Sequence, residues 1–140
     1  MERAVQERGA MTAPRIRPNN ETRMRLAYVA GPYRAPDEWG VLTNIRNAES
    51  VALELWKLGF AVICPHKNTA LFGGAAPDDV WLKGDLEMIR RCDLLVLIPG
   101  WEASSGSREE KRKAEEWGIP VREWPMCLRD ENPKFFVVRG

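Results

Sequence analysis

The sequence predicts an α/β fold of the Rossmann-like, flavodoxin-like class, a three-layer sandwich around a mostly parallel sheet. Short apolar runs that end in Gly or Pro alternate with longer stretches whose apolar residues follow helical spacing. Such alternation implies right-handed crossovers, which set parallel strands side by side and place helices on both faces.

The first run, Arg25-Leu26-Ala27-Tyr28-Val29-Ala30, is broken by Gly31-Pro32. From about Thr43 to Leu58, the residues Ile45, Ala48, Ala52 and Leu55 keep helical spacing, and Gly59 stops the helix. Ala61-Val62-Ile63-Cys64 reads as the second strand, ended by Pro65. The segment from His66 to Asp79 reads as a long loop with turn signals at Gly73-Gly74 and Pro77-Asp78-Asp79, and Asp78 or Asp79 caps the next helix. That helix, from about Val80 to Arg91, places Leu82, Leu86 and Ile89 on one face, and Trp81, Asp85, Met88 and Cys92 on an adjoining one. The strand Leu94 to Ile98, a helix carrying Glu110, and the strand Val121-Arg122-Glu123-Trp124 complete the rhythm. Beyond Pro125 it is lost, and Phe135-Phe136-Val137-Val138 reads as an edge strand or a docking tail.

At 140 residues with 44% hydrophobic content, the chain is expected to form one domain over residues 24–140, with residues 1–23 as a flexible leader. The 21 basic and 20 acidic residues leave a net charge of +1, which gives no electrostatic case for a nucleic-acid polymer or an anionic membrane. No window approaches the roughly 20 apolar residues of a bilayer span. Three cysteines, Cys64, Cys92 and Cys127, lack CxxC spacing and fit reduced thiols in a cytoplasm.

Glu110 carries the first chemical signal. The helical stripe Ser107, Glu110, Ala114, Trp117 is the only face of its helix able to pack inward, while Glu109, Arg112, Lys113 and Glu116 share the other. A carboxylate in the first turn after a strand end sits where open α/β sheets keep their ligands; balancing the helix dipole is its alternative role. Three loops should meet at that edge: Gly31-Pro32-Tyr33-Arg34, Pro65-His66-Lys67-Asn68, and Gly100 through Gly106. Neither GxxxxGK[ST] nor GxGxxG occurs. Ser104-Ser105-Gly106 before a helix is an anion cradle or, equally, an N-cap. Asp85 is a second candidate acid at the margin of its helix's buried face, or a partly exposed partner for Arg or Lys. His66 is the only histidine, a general base or a loop hydrogen-bonder, and alone it argues against zinc. Tyr33 offers a phenol to a ligand or a catalytic carboxylate, and Trp101 a surface on which a base could stack.

Taken together, Tyr28-Val29-Ala30-Gly31-Pro32-Tyr33-Arg34, Cys64-Pro65-His66-Lys67-Asn68-Thr69, Gly84-Asp85-Leu86 with Cys92-Asp93, and Gly100-Trp101-Glu102 followed by Ser104, Gly106 and Glu110 resemble the nucleoside 2-deoxyribosyltransferase superfamily. The likeness runs from about Leu26 to Trp124 and is strongest to a short branch similar to 2'-deoxynucleoside 5'-phosphate N-hydrolases. It implies that Glu110 is a nucleophile toward the anomeric carbon, that Asp85 assists departure of the base, and that Tyr33 contacts the nucleophile or the sugar. It further implies that Ser104 and Gly106 hold a 5'-phosphate, that no cofactor is needed, and that a homodimer or larger assembly completes the site. The expected activity is cleavage of the N-glycosidic bond of a (deoxy)nucleoside 5'-monophosphate through a covalent glycosyl-glutamate. The alternatives are base exchange by a nucleoside 2-deoxyribosyltransferase, or a nonenzymatic nucleotide-binding module that keeps the cradle and dispenses with the acids.

Overall fold

The computed structural model of the chain describes residues 22–125 and 133–136. Its elements are β1 (Thr22–Met24), β2 (Leu26–Ala30), α1 (Glu38–Leu58), β3 (Ala61–Ile63), α2 (Pro65–Asn68), α3 (Asp78–Arg90), β4 (Leu94–Leu97), a 3-10 turn (Trp101–Ala103), α4 (Ser105–Glu116), β5 (Val121–Glu123) and β6 (Lys134–Phe136). Strands β2 to β5 form a four-stranded sheet in the order β3-β2-β4-β5 with every pairing parallel. That is the doubly wound order in which the chain reverses direction between β2 and β4, and such a reversal opens a crevice at the carboxyl ends of the two strands.

The layers follow from the alternation along β2. Ala27 and Val29 face α1, where Ala48, Val51, Ala52 and Leu55 recur at helical spacing and pack with Leu94 and Val96. Tyr28 and Ala30 face the other way, toward Ile89 of α3 and Ala114 of α4. The central strands are buried on both faces, as parallel strands covered by helices must be. Asp93, buried before β4, accepts a hydrogen bond from the Leu26 amide (2.8 Å) and pairs with Arg23 (3.3 Å), so it anchors the start of β2.

Some boundaries differ from expectation. Helix α1 begins at Glu38, not near Thr43, because the Asp37 side chain accepts the Gly40 amide at 2.8 Å and caps it. It ends as expected at Gly59, whose left-handed φ of 108° permits the turn back into β3. His66, Lys67 and Asn68 are not loop but a single helical turn begun by Pro65. Asp78 and Asp79 lie within the first turn of α3, after Pro77, and complement its dipole without capping it. Phe135 and Phe136 do form a strand, but β6 pairs antiparallel with β1 outside the main sheet; Val137 and Val138 fall outside the described residues. So do residues 1–21, where most of the leader is expected, and Cys127. Cys64 and Cys92 are buried. Among the described residues no helix is long and apolar enough to cross a membrane.

Candidate active site

At the carboxyl edge of β2, β3 and β4 lies a cleft of about 440 Å³, lined by the segment Gly31–Arg34, by Pro65 and His66, by α3 and by the start of α4. Its volume falls in the range that holds small-molecule ligands. Glu110 lines it from α4, and the helical stripe is as expected: Ser107 and Ala114 are buried, Glu110 and Trp117 partly so, and Glu109, Arg112 and Glu116 are exposed. The carboxylate rests against the sheet. There the hydroxyl of Tyr28, a residue with 0% exposure, donates a 2.6 Å hydrogen bond to Glu110 Oε2. A buried phenol needs such a partner, and a bond from a neutral donor to a carboxylate is among the strong ones.

Asp85 lines the same cleft from α3 and is half-buried. Burial raises its carboxyl from the ordinary 3.8 to about 6. Glu110 is pushed from 4.5 up to about 8: burial drives the shift, the Tyr28 hydrogen bond opposes it, and the negative charge of Asp85 adds to it. The phenol of Tyr28 is itself raised well above its usual range by burial and by these two carboxylates, so it stays a donor. Between pH about 6 and about 8 the two acids therefore hold one proton between them.

The loops close the rest of the cleft. Gly31 is required by packing: a Cβ there would meet the Ile98 side chain at 2.2 Å. His66, 6% exposed, bonds through Nε2 to the Pro32 carbonyl at 2.8 Å and so ties α2 to the loop after β2. Burial lowers its pKa, against hydrogen bonds to the Pro32 and Gly31 backbone carbonyls, and the ring is neutral at neutral pH. At the exposed rim Arg34 pairs with Asp78 at 2.7 Å. Ser104 caps α4 by accepting from the Ser107 amide (3.2 Å) and the Ser107 hydroxyl (3.0 Å), which leaves its own O–H to donate elsewhere. Ser105 and Gly106 line the cleft beside it with first-turn amides.

Of the residues singled out from sequence, Gly31, Pro32, Tyr33, Arg34, His66, Asp85, Ser104, Ser105, Gly106 and Glu110 come together in this cleft. Two do not. Trp101 follows a positive-φ turn at Gly100 (93°) into a 3-10 turn, packs against the α3–α4 side of the core, and directs Nε1 to Glu123 at 3.4 Å. Asn68 is exposed and turned to the Met88 sulfur at 3.7 Å. The phenol that meets Glu110 is Tyr28, not Tyr33; the Tyr33 ring lines the cleft and stands edge-on to His66, centroids 5.7 Å apart. Ser107 and Trp81 also line the cleft, and Tyr28 stands behind Glu110; the sequence flagged none of the three for these places, although a lone hydroxyl in an apolar strand signals a buried partner. Three further tryptophans are dispersed: Trp81 lines the cleft, Trp117 lies under the Arg90 guanidinium at 4.2 Å, and Trp56 stays 53% exposed on α1.

Residues 26–123 match the family model described as Domain of unknown function (DUF4406). The chain belongs to that family. Among solved structures it is similar to a conserved protein from Enterococcus faecalis V583, at 24% identity and a TM-score of 0.59, over 71% of this chain and 62% of that one. The chain thus spans less than two thirds of that protein. It is also similar to a 2-deoxyribosyltransferase from Bacillus psychrosaccharolyticus, at 26% identity and a TM-score of 0.52, over 70% of each chain. Among curated proteins none matches. The α/β fold is therefore a deoxyribosyltransferase-like one.

Proposed function

We propose that the protein cleaves the N-glycosidic bond of a (deoxy)nucleoside 5'-monophosphate, with Glu110 as nucleophile and Asp85 as acid. The observation that carries this is the Tyr28–Glu110 pair: a carboxylate held by a buried phenol at 2.6 Å, in a cleft that also contains Asp85. Tyr28 fixes one carboxylate oxygen and leaves the other for attack on the anomeric carbon. As the C–O bond to Glu110 forms, the C–N bond breaks and its electron pair leaves with the base, which Asp85 protonates. In the second step Asp85 takes a proton from water as the water oxygen displaces Glu110 from the sugar, and the anomeric configuration is retained. The cycle needs one proton on the acid pair, and the pair holds one near neutrality; it rests on Glu110, the weaker acid, and must pass to Asp85 before the C–O bond forms.

The similarity to a 2-deoxyribosyltransferase supports a second outcome of the same intermediate, in which another base replaces water. The phosphate preference rests on Ser104, Ser105 and Gly106 at the start of α4, with Arg34 at the rim. We also expect self-association, which light scattering at micromolar concentration reads directly. The decisive experiment incubates the full chain with a panel of nucleosides and their 5'-monophosphates, with and without a second free base, and follows base release and exchange by chromatography. Release from nucleotides supports the hydrolase, exchange supports the transferase, and neither from any substrate overturns both and leaves a nonenzymatic nucleotide-binding module.

A further inference from the structure

Two polar ring atoms, Trp81 Nε1 and His66 Nδ1, are buried and have no hydrogen-bond partner among the described residues, and both side chains line the cleft. Their chemistry is complementary. An indole N–H only donates. His66 gives its Nε2 proton to the Pro32 carbonyl, which only accepts, so in the neutral ring Nδ1 is left as an acceptor. Burial keeps that ring neutral at neutral pH. Both rings are braced: His66 by Pro32 and by the edge of Tyr33, Trp81 by Phe72 at a centroid distance of 5.8 Å. Trp81 also precedes Asp85 by four residues of α3, just over one turn and about 6 Å along the helix axis.

We propose that Trp81 and His66 form a base-reading wall, selecting a heterocycle that presents a hydrogen-bond acceptor to Trp81 and a donor to His66. The proposal rests on the glycosidic function, for it is Asp85 beside the departing nitrogen that puts Trp81 alongside the base's far edge. Both ring atoms stand buried without a bond in the unliganded cleft, so a base that supplies the missing partner gains affinity and one that lacks it gains nothing from this wall. Adenine offers both, as N1 and its amino group. Unsubstituted purine keeps the acceptor and lacks the donor. Benzimidazole has the same bicyclic outline and neither group on its six-membered ring.

Calorimetric titration of the full chain with these three compounds tests the wall in the parent, in Trp81→Phe and in His66→Gln. Phenylalanine keeps an aromatic ring against Phe72 and lacks the N–H; glutamine can still donate to the Pro32 carbonyl and lacks Nδ1. The parent should bind adenine more tightly than purine and purine more tightly than benzimidazole, each step about two- to tenfold, the range of one net hydrogen bond. Trp81→Phe should weaken adenine and purine by a similar factor and leave benzimidazole unchanged, while His66→Gln should weaken adenine alone. A parent that binds all three alike or none of them, or a Trp81→Phe variant with undiminished affinity for adenine and purine, overturns the proposal. If His66→Gln fails to fold, the adenine-to-purine step in the parent reads the same bond. Because no glycosidic bond is broken in these titrations, the graded pattern in a protein that releases no base keeps the wall and discards the reaction. Base release with a flat pattern does the reverse.

Discussion

On the α1 face of the sheet, Ala27, Val29, Leu94 and Val96 meet Ala48, Val51, Ala52 and Leu55 in apolar contact throughout. On the α3–α4 face, the same strand turns Tyr28 and Ala30 toward Ile89 and Ala114, and the Tyr28 hydroxyl continues through the core to Glu110. Both faces bury their strands equally, yet one presents only apolar side chains, while the other aims a hydroxyl at Glu110 in the cleft. The difference lies in the period of two along β2: a shift of one residue would exchange Tyr28 for Val29 and sever the phenol from its acid. Under the proposed reaction, stability and chemistry fall to opposite faces of one strand, and substitutions should separate them.

The largest separation is expected between Glu110 and Leu55. Glu110→Ala should lower base release by about a thousandfold or more, as loss of a nucleophile does, with the fold retained because relief of the buried carboxylate offsets the Tyr28 hydroxyl left without its partner. Leu55→Ala, fully buried on the α1 face, should cost roughly 2 to 5 kcal/mol of stability and leave kcat per folded molecule unchanged. Paired denaturant titrations and turnover assays measure both. A Leu55 variant that stays stable yet loses turnover would break the division between faces.

Tyr28→Phe tests the link itself. The phenyl ring preserves the packing, but the hydrogen bond to Glu110 is lost, and bonds to charged groups are worth roughly 1.5 to 3 kcal/mol; a fall in kcat of about ten- to a hundredfold should follow. The Tyr28 bond lowers the Glu110 pKa, so without it the carboxylate forms only at higher pH. The acid limb of the pH–rate profile should move upward. A fall in rate with an unmoved limb would make Tyr28 a packing residue.

Much of the α3–α4 face was legible from residue spacing. Glu110 is readable as inward because Ser107, Ala114 and Trp117 leave its helix one packing stripe, and Asp85 as marginal because it sits between Trp81 and Met88. Tyr28 escaped because a strand buried on both sides reads as a continuous apolar run, and the run conceals which face a lone hydroxyl serves. The start of α1 escaped because Trp39 and Leu42 are exposed there, 75% and 41%, and break the apolar period on which a helix is recognised. Trp101 and Asn68 were misplaced by single local turns, the positive-φ Gly100 and the short helix begun by Pro65, whose geometry adjacent residue types do not disclose.

Stability against pH sharpens the comparison further. The folded pKa values of Glu110 and Asp85, about 8 and about 6, lie above the ordinary 4.5 and 3.8. Folding therefore favours their protonated forms. Their contribution to stability is fully present below about pH 4 and is lost as pH rises through about 6 and then about 8. Glu110→Gln, which still accepts from Tyr28 and carries no charge, should flatten the upper part of this decline. Near pH 8.5 its Tm should exceed the parent's by roughly 3 to 8 °C, with little difference at about pH 4. Parallel melting curves at the two pH values would show equal gaps if Glu110 were solvated as an ordinary surface acid.

The smallest expected effect lies at the start of α4, where one side chain is offered two duties. Ser104 caps the helix through the Ser107 amide and lines the cleft beside Ser105 and Gly106. Ser104→Ala should destabilise by about 0.5 to 2 kcal/mol as a lost cap and reduce the preference for a nucleotide over its nucleoside by about tenfold, the lower end for one bond to an anion because Ser104 is only half-buried. The alanine variant alone does not separate the duties; Ser104→Asp does. Aspartate caps as well as serine but sets a negative charge where a phosphate would bind. If the cleft holds phosphate, Ser104→Asp recovers the parent's stability while nucleotide kcat/KM falls and nucleoside kcat/KM holds. Recovery of stability with an unchanged ratio would make Ser104 a helix cap alone, and the substrate a nucleoside without its phosphate.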